Sequence, residues 1–207
     1  MEIKQVFEEL KKEKKRKFSQ TIDLIVNLQN FDVRKEALNT FLNVPNPMER
    51  KIGAFLTKKS HIVPTITEMD FAKYKDIKDV KKLAMEYDFF IAVAPMMGKI
   101  ATTFGRAFGP LGKMPSPQAG IIPKETDEMI KGMVEKMKSV IRVRNKEMSI
   151  KLVIGKEDMD VKKVTENIES VLKQLEAKLP RGRECIKNVM LKFTMTRAIK
   201  FIDYTRK

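Results

Sequence analysis

Residue types that could carry covalent chemistry are scarce in this chain. His61 is the sole histidine and Cys185 the sole cysteine. A histidine-dependent triad would rest on His61 alone, and nothing near it in sequence resembles an activated nucleophile. Cys185 follows Arg183-Glu184, where arginine could hold a thiolate, but it reads better as a small, half-buried residue entering a strand. A single cysteine forms no internal disulfide, and no Cys/His cluster has zinc-ligand spacing. Gly105 to Gly112 lacks the spacing of a phosphate loop ending in Gly-Lys-Ser/Thr, and Gly53 lies inside an apolar strand rather than opening a dinucleotide turn. The residues therefore predict no catalytic site, no metal, no cofactor and no enzyme. A nucleotide-dependent transferase or hydrolase would have to use the glycine-rich stretch with Lys113, and would show saturable mononucleotide binding.

Non-covalent chemistry is better provided for. The 207 residues include 42 Lys and Arg against 27 Asp and Glu, a formal charge of +15. Folding does not require that excess, and self-repulsion opposes compactness. A polyanion would relieve it by releasing its own condensed counterions, so nucleic acid is the leading partner class, with an anionic membrane surface second. Several basic and hydroxyl side chains fall where extended backbone would present them together. Arg142 and Arg144 share one face of a strand, as do Lys192 and Thr194, because side chains alternate. Lys17 and Phe18 stand at the approach to the first strand. If the N- and C-terminal strands pair, lysine and arginine would neutralise phosphates while hydroxyls bond the 2′-OH groups that distinguish RNA. A charged solvent face would look the same in composition.

Elements that would position these groups follow from hydrophobic periodicity. Residues 2–17 read as an amphipathic helix with Ile3, Val6, Phe7 and Leu10 on one face, ending in the basic run 14–17. Residues 21–28 (TIDLIVNL) alternate as a half-buried strand, and 40–44 form a second one, closed by the stiff Pro45-Asn-Pro47. Residues 51–57 and 88–94 are nearly continuous apolar strands of a sheet covered on both faces, with another strand near 61–66 and a helix over 78–87. The stretch 97–120 concentrates glycine and proline with Lys99, Arg106 and Lys113, and predicts a loop able to approach a phosphate backbone or another macromolecule. A helix over 126–139 carries Met129, Ile130, Met133, Val134 and Met137 inward, with Thr126 as its N-cap. Strands 140–144 and 149–154 are joined by a connection of hairpin length, a long helix spans 161–179, and strands 186–194 and 198–202 close the chain. An α/β middle between strand-rich ends suggests one domain inserted into another.

No apolar run approaches the ~20 residues that span a bilayer, since Phe89–Met97 is broken by Pro95. The first ten residues do not read as a secretory signal, so a cytosolic protein without membrane contact is expected.

The stretches Lys17-Phe-Ser-Gln-Thr-Ile-Asp23, Asp88-Phe-Phe-Ile-Ala92 and Phe104 to Gly120 resemble the large-subunit ribosomal protein L-one family. Lys17-Phe-Ser-Gln-Thr-Ile-Asp23 is similar to the family's basic-Phe-x-x-Thr-x-acidic approach to its first strand. Phe104-Gly-Arg-Ala-Phe-Gly-Pro-Leu-Gly-Lys-Met-Pro-Ser-Pro-Gln-Ala-Gly120 resembles its Leu-Gly-x-x-Leu-Gly-Pro-x-Gly-x-Met-Pro-x-Pro stretch, and Asp88-Phe-Phe-Ile-Ala92 looks like the archaeal branch. The likeness runs from about residue 16 to about residue 200. It implies an α/β protein of two domains joined by a two-stranded hinge. Residues 1–49 and 138–207 would form an outer rRNA-binding domain with an antiparallel sheet, and 50–137 an inserted Rossmann-like domain. It further implies a non-enzymatic ribosomal constituent of the cytoplasm, a monomer within the ribosome that forms the mobile stalk at the tRNA exit site. Its partners would be large-subunit rRNA, exit-site tRNA during release, and its own mRNA under translational repression.

By position, the resemblance places Lys17, Phe18, Ser19, Thr21, Asp23, Arg144, Thr194 and Met195 at the rRNA. Lys192 joins them from its strand face, and Lys99, Arg106 and Lys113 would face tRNA from the inserted-domain loop. Asp23 would accept from RNA hydroxyls or orient an arginine rather than meet phosphate. The sequence departs from the family where Thr-Met-Gly-Pro reads Thr194-Met-Thr-Arg197, so Thr196 either shifts the contact or bonds a 2′-OH itself. The family's Pro-His-Gly reads Pro45-Asn-Pro47, and the first crossover helix of the inserted domain is missing, so that sheet edge is expected to be rebuilt. The alternative function is a general basic RNA coat or chaperone, whose binding would follow charge and salt alone.

Overall fold

The computed structural model describes residues 3–12, 16–33, 35–36, 38–74, 76–117, 120–145 and 147–203. In chain order the elements are α1 (Ile3–Lys12), β1 (Thr21–Leu28), β2 (Asn39–Asn43), β3 (Ile52–Phe55), β4 (Thr65–Ile66), α2 (Ile77–Glu86), β5 (Phe89–Val93), α3 (Met97–Leu111), β6 (Ile121–Ile122), α4 (Asp127–Lys138), β7 (Val140–Arg144), β8 (Ser149–Lys156), α5 (Val161–Lys178), β9 (Ile186–Phe193) and β10 (Ile199–Asp203). The chain divides into two compact units, one made of residues 1–48 with 139–207 and the other of 49–138.

The first unit is built on an antiparallel sheet ordered β10-β9-β1-β8, drawn from both ends of the chain. β1 lies between β8 and β9, with Asp23 opposite Val153 on one side and Lys192 on the other. Its period-two pattern appears directly in burial: Ile22, Leu24, Val26 and Leu28 are buried while Thr21, Asp23, Ile25 and Asn27 stay half-exposed. Val6, Phe7 and Leu10 of α1 and Val164, Ile168, Val171, Leu172 and Leu175 of α5 complete the same core. Burying a side chain of this size contributes roughly 1.5–3 kcal/mol, so this shared apolar face fixes the strand register. β2 and β7 form a separate two-stranded ribbon, Asn39 opposite Arg144 and Asn43 opposite Val140. Gln174 of α5 grips it, accepting from the Asn43 amide at 2.9 Å and donating to the Asn43 carbonyl at 2.6 Å.

In the second unit a sheet ordered β4-β3-β5-β6 is entirely parallel. β3 is buried at every position, as a strand covered on both faces must be. Phe55, Phe90, Phe104 and Phe108 form an aromatic cluster with centroids as close as 4.6 Å.

Several expectations are corrected. The glycine- and proline-rich stretch is not a loop over most of its length: Met97–Leu111 is α3. Ile100, Phe104, Ala107 and Phe108 recur at helical spacing and are buried, while a Cβ on Gly98, Gly105 or Gly109 would meet nothing within 4 Å. Those glycines lie on the outer face, where a missing side chain costs propensity but not packing. Pro110 falls in the last turn, and Gly112 at φ 69° ends the helix in the left-handed conformation that glycine adopts without strain. β7 and β8 are not a hairpin, because β7 pairs with β2 and β8 with β1. The first helix stops at Lys12, Arg16 to Ser19 are not helical, and the rest of the basic run (14–15) lies outside the described residues. Met129 is 44% exposed rather than inward, Cys185 is wholly buried, and only Thr65–Ile66 of the stretch near 61–66 is strand. The sheet edge expected to be rebuilt is parallel despite its short connection: β4 is two residues long, and Ala54 N–H donates to Pro64 O at 2.9 Å. So brief an edge needs only an extended return, not a crossover helix.

Candidate nucleic-acid interface

One end of the four-stranded sheet gathers most of the predicted binding residues of the first unit. The register sets Thr21 at the start of β1 beside Thr194, the residue that follows β9. Thr194 N–H donates to Thr21 O at 3.1 Å, Thr21 N–H donates to Thr194 Oγ1 at 3.1 Å, and the two hydroxyl oxygens are 2.8 Å apart. Thr21 Oγ1 also donates to Asp23 Oδ1 at 3.3 Å. A hydroxyl carries one proton, so with Thr21 donating to Asp23 the Thr194 hydroxyl has two acceptors within reach, Thr21 Oγ1 at 2.8 Å and Thr21 O at 3.4 Å. The relay leaves an edge rich in acceptor lone pairs, suited to a ligand that brings donors.

Lys192 faces Asp23 across the β1–β9 pair. Burial pushes the Asp23 carboxyl above its ordinary range, and the Lys192 ammonium and the Thr21 hydroxyl oppose that rise. As a carboxylate Asp23 is an acceptor only, suited to hydroxyls and not to phosphate. In the same two segments, Phe18 before Thr21 is 54% exposed and Met195 after Thr194 is 57% exposed. Exposed aromatic and thioether groups beside hydroxyls suit the faces and edges of nucleotides.

Not every expected contact is available. The Ser19 hydroxyl donates to Asp158 Oδ2 at 2.5 Å. Thr196 is committed to its own turn: its Oγ1 accepts from Phe193 N–H at 2.9 Å, and its N–H donates to Phe193 O at 3.1 Å. No positive φ occurs at Thr196, so the backbone there does not require the family's glycine. Lys17 is exposed in the segment leading to β1.

Arg144 is not part of this cluster. It ends β7 just before the turn into Ser149, and Ser149 pairs with Asn27. Asn27 is six residues along β1 from Thr21, roughly 20 Å at ~3.3 Å per residue, so the chain leaves β7 for the end of β1 opposite Thr21. Arg142 shares its strand face but lies over the Phe41 ring at 5.7 Å, its charge disfavoured by burial and by Arg144.

In the second unit, Lys99 and Arg106 stand on α3 rather than on a loop, and Lys99 is ion-paired with Glu68. Lys113 is half-buried and donates to the Tyr87 and Asp88 carbonyls at 2.9 Å each, with burial lowering its pKa. That ammonium closes the end of α2 onto β5 rather than extending into solvent. No cluster of three or more His, Cys, Asp or Glu able to hold a metal occurs among the described residues. No described helix is long and apolar enough to cross a membrane.

Sequence reasoning missed Gln20, Glu157 and Asp158, which lie directly behind the threonine pair. Gln20 is 3% exposed although Lys17, Phe18 and Ser19 beside it are all exposed. The sequence carries no signal for it, because the burial of this amide arises only in the fold.

Residues 10–197 match the model of the Ribosomal protein L1p/L10e family. The chain is 35% identical over 214 residues to the large ribosomal subunit protein uL1 of Archaeoglobus fulgidus, covering 97% of this chain and 96% of that one. It is 37% identical over 199 residues to the uL1 protein of Thermococcus kodakarensis, covering 90% of each, and 33% identical over 202 residues to that of Nanoarchaeum equitans, covering 91% and 94%.

Proposed function

Because the chain belongs to the Ribosomal protein L1p/L10e family, we propose that it is a structural constituent of the large ribosomal subunit and binds large-subunit rRNA through the Thr21–Thr194 end of its antiparallel sheet. The observation that carries this reading is the hydroxyl relay Thr194–Thr21–Asp23, with exposed Phe18 and Met195 close to it along the chain. The relay offers acceptors to ribose hydroxyls and base amino groups, and Phe18 offers a stacking face. Lys17 and Lys192 neutralise neighbouring phosphates, while Arg144 reaches a separate stretch of backbone from the far end of β1.

The unit made of both chain ends supplies affinity and specificity in this proposal. The inserted unit, with Lys99 and Arg106 on the outer side of α3, meets deacylated tRNA leaving the exit site. The same RNA-binding end represses translation of the chain's own mRNA by recognising a similar structure there.

The test is binding to a large-subunit rRNA stalk fragment and to a scrambled duplex of equal length, titrated across salt. Specific complexes exceed non-specific ones by orders of magnitude, so the stalk fragment is expected to win by ~100-fold or more near physiological salt. Equal binding, with both RNAs released together as salt rises, would make the protein a basic coat instead.

A further inference from the structure

We infer that Gln20 and Glu157 form a positioning pair that sets the 193–196 turn against β1, and so decides whether Thr194 and Met195 can meet RNA; this rests on the reading of that end of the sheet as the rRNA site. The turn closes on itself through Thr196, but those internal bonds fix only its shape. Thr194 is bonded to Thr21 directly, and the next residue is held by Gln20, whose Oε1 accepts from Met195 N–H at 3.2 Å. The amide is held in the orientation that makes this possible. Gln20 Nε2 donates to Glu157 Oε2 at 3.4 Å, Gln20 N–H donates to the same oxygen at 3.4 Å, and Glu157 N–H donates to Gln20 O at 2.8 Å. The Asp158 carboxylate takes the Ser19 hydroxyl one residue earlier. The connection between β8 and α5 thus grips the strand approach, which in turn holds the turn bearing Met195.

Buried amides are demanding partners: Gln20 is 3% exposed, so neither its oxygen nor its NH2 group can turn to water instead. The polarity of the pair is also specific. A carboxylate at position 157 facing an amide at position 20 satisfies both; two carboxylates there would repel. Exchanging the two side chains preserves the net charge, the bond from Met195 N–H and the bond between the two side chains. A carboxylate placed at position 20 would accept from Met195 N–H. An amide placed at position 157 would put its NH2 group where Glu157 Oε2 stands and donate to that carboxylate, giving up only the long bond from the backbone N–H of position 20.

The test uses the full chain as Gln20→Glu, as Glu157→Gln, and as the double exchange. It measures hydrogen exchange at the Met195 amide without RNA, and affinity for the rRNA stalk fragment and a scrambled duplex. Gln20→Glu is expected to speed Met195 exchange and to weaken the stalk fragment about 10-fold with little change on the duplex. The double exchange should return both readouts to within about 2-fold of the parent. A double variant no better than Gln20→Glu, or stalk and duplex affinities falling together, overturns the inference, because a pair that only supports the fold would lower both affinities alike. If the parent shows no preference for the stalk fragment, the rRNA reading fails instead. The Met195 exchange cycle then still decides the positioning role by itself.

Discussion

Replacing Thr194 with valine removes one oxygen and keeps the side-chain volume. In the free protein the lost groups are an acceptor for Thr21 N–H at 3.1 Å and the 2.8 Å contact with Thr21 Oγ1, while the backbone bond from Thr194 N–H to Thr21 O at 3.1 Å survives. Thr194 is exposed, so water takes over the vacated partners, and the fold should lose no more than about 1 kcal/mol. Against RNA the balance differs. A 2′-OH or base amino group left facing a methyl in a dehydrated contact costs about 1–3 kcal/mol, or ~5- to 150-fold in affinity. A hydroxyl neutralises no phosphate, so the salt dependence of binding should keep its slope. Lys192→Met, by contrast, should flatten that slope by about 0.9 if its ammonium meets a phosphate. Fluorescence anisotropy with the stalk fragment at several salt concentrations, paired with urea unfolding, separates the two effects. Stalk affinity for Thr194→Val within about 2-fold of the parent, or a changed salt slope, would refute the assignment of this hydroxyl to a neutral RNA contact.

Asn167 of α5 is wholly buried, accepts from Asn46 N–H at 2.9 Å and donates to Asn46 O and Ile154 O at 3.1 Å each. Asn167→Leu strands three backbone groups, one of them buried in the strand end, and should cost about 2–5 kcal/mol by chemical denaturation. A loss under about 1 kcal/mol would show that water replaces the amide. Gly120 has φ +119° and a Cβ there would lie 2.7 Å from the Phe90 carbonyl oxygen, so Gly120→Ala should destabilise the 49–138 unit by about 2–4 kcal/mol while leaving stalk-fragment affinity near that of the parent. Asp23 sits above its ordinary carboxyl pKa in the fold because burial opposes its charge. The folded state therefore holds the proton more tightly, and ionisation subtracts stability as pH climbs from the ordinary carboxylate range through the raised value. Asp23→Asn should show a higher urea midpoint than the parent at about pH 7, with the gain shrinking on acidification; a pH-independent gain would contradict this origin.

The elements plainest in the sequence are those whose burial pattern is local. β1 alternates without interruption, and Val164, Ile168, Val171, Leu172 and Leu175 recur at helical spacing along α5 and are all buried. α3 is harder to read because its glycines and prolines suggest a loop while its apolar spacing, taken alone, gives the helix. The partners of β7 and β8 depend on chain segments more than a hundred residues away, which no short-range rule reaches: Thr40 pairs with Val143 and Ile22 with Gly155. The site behaves the same way. Phe18, Thr21 and Asp23 lie in one short stretch and Thr194 and Met195 in another, so their types are legible through family resemblance. Gln20 and Glu157 gain a role only when the sheet closes, and nothing in their spacing announces it. Arg144 reads as a neighbour because its strand is basic, yet the ribbon carries it to the opposite end of β1.

The placement of β1 also orders events during synthesis. Its partner β9 ends at Phe193, and the Thr21–Thr194 bond joins residues 173 positions apart. The 49–138 unit is continuous in sequence and can mature as soon as it clears the exit tunnel, whereas β1 must wait unpaired on both edges. At ~5–20 residues per second, the stretch from Ser139 to Phe193 takes roughly 3–11 s to emerge, and through that interval the N-terminal strand is an open template for aberrant pairing. The RNA-binding end is then assembled last, so a truncated or stalled chain lacks it.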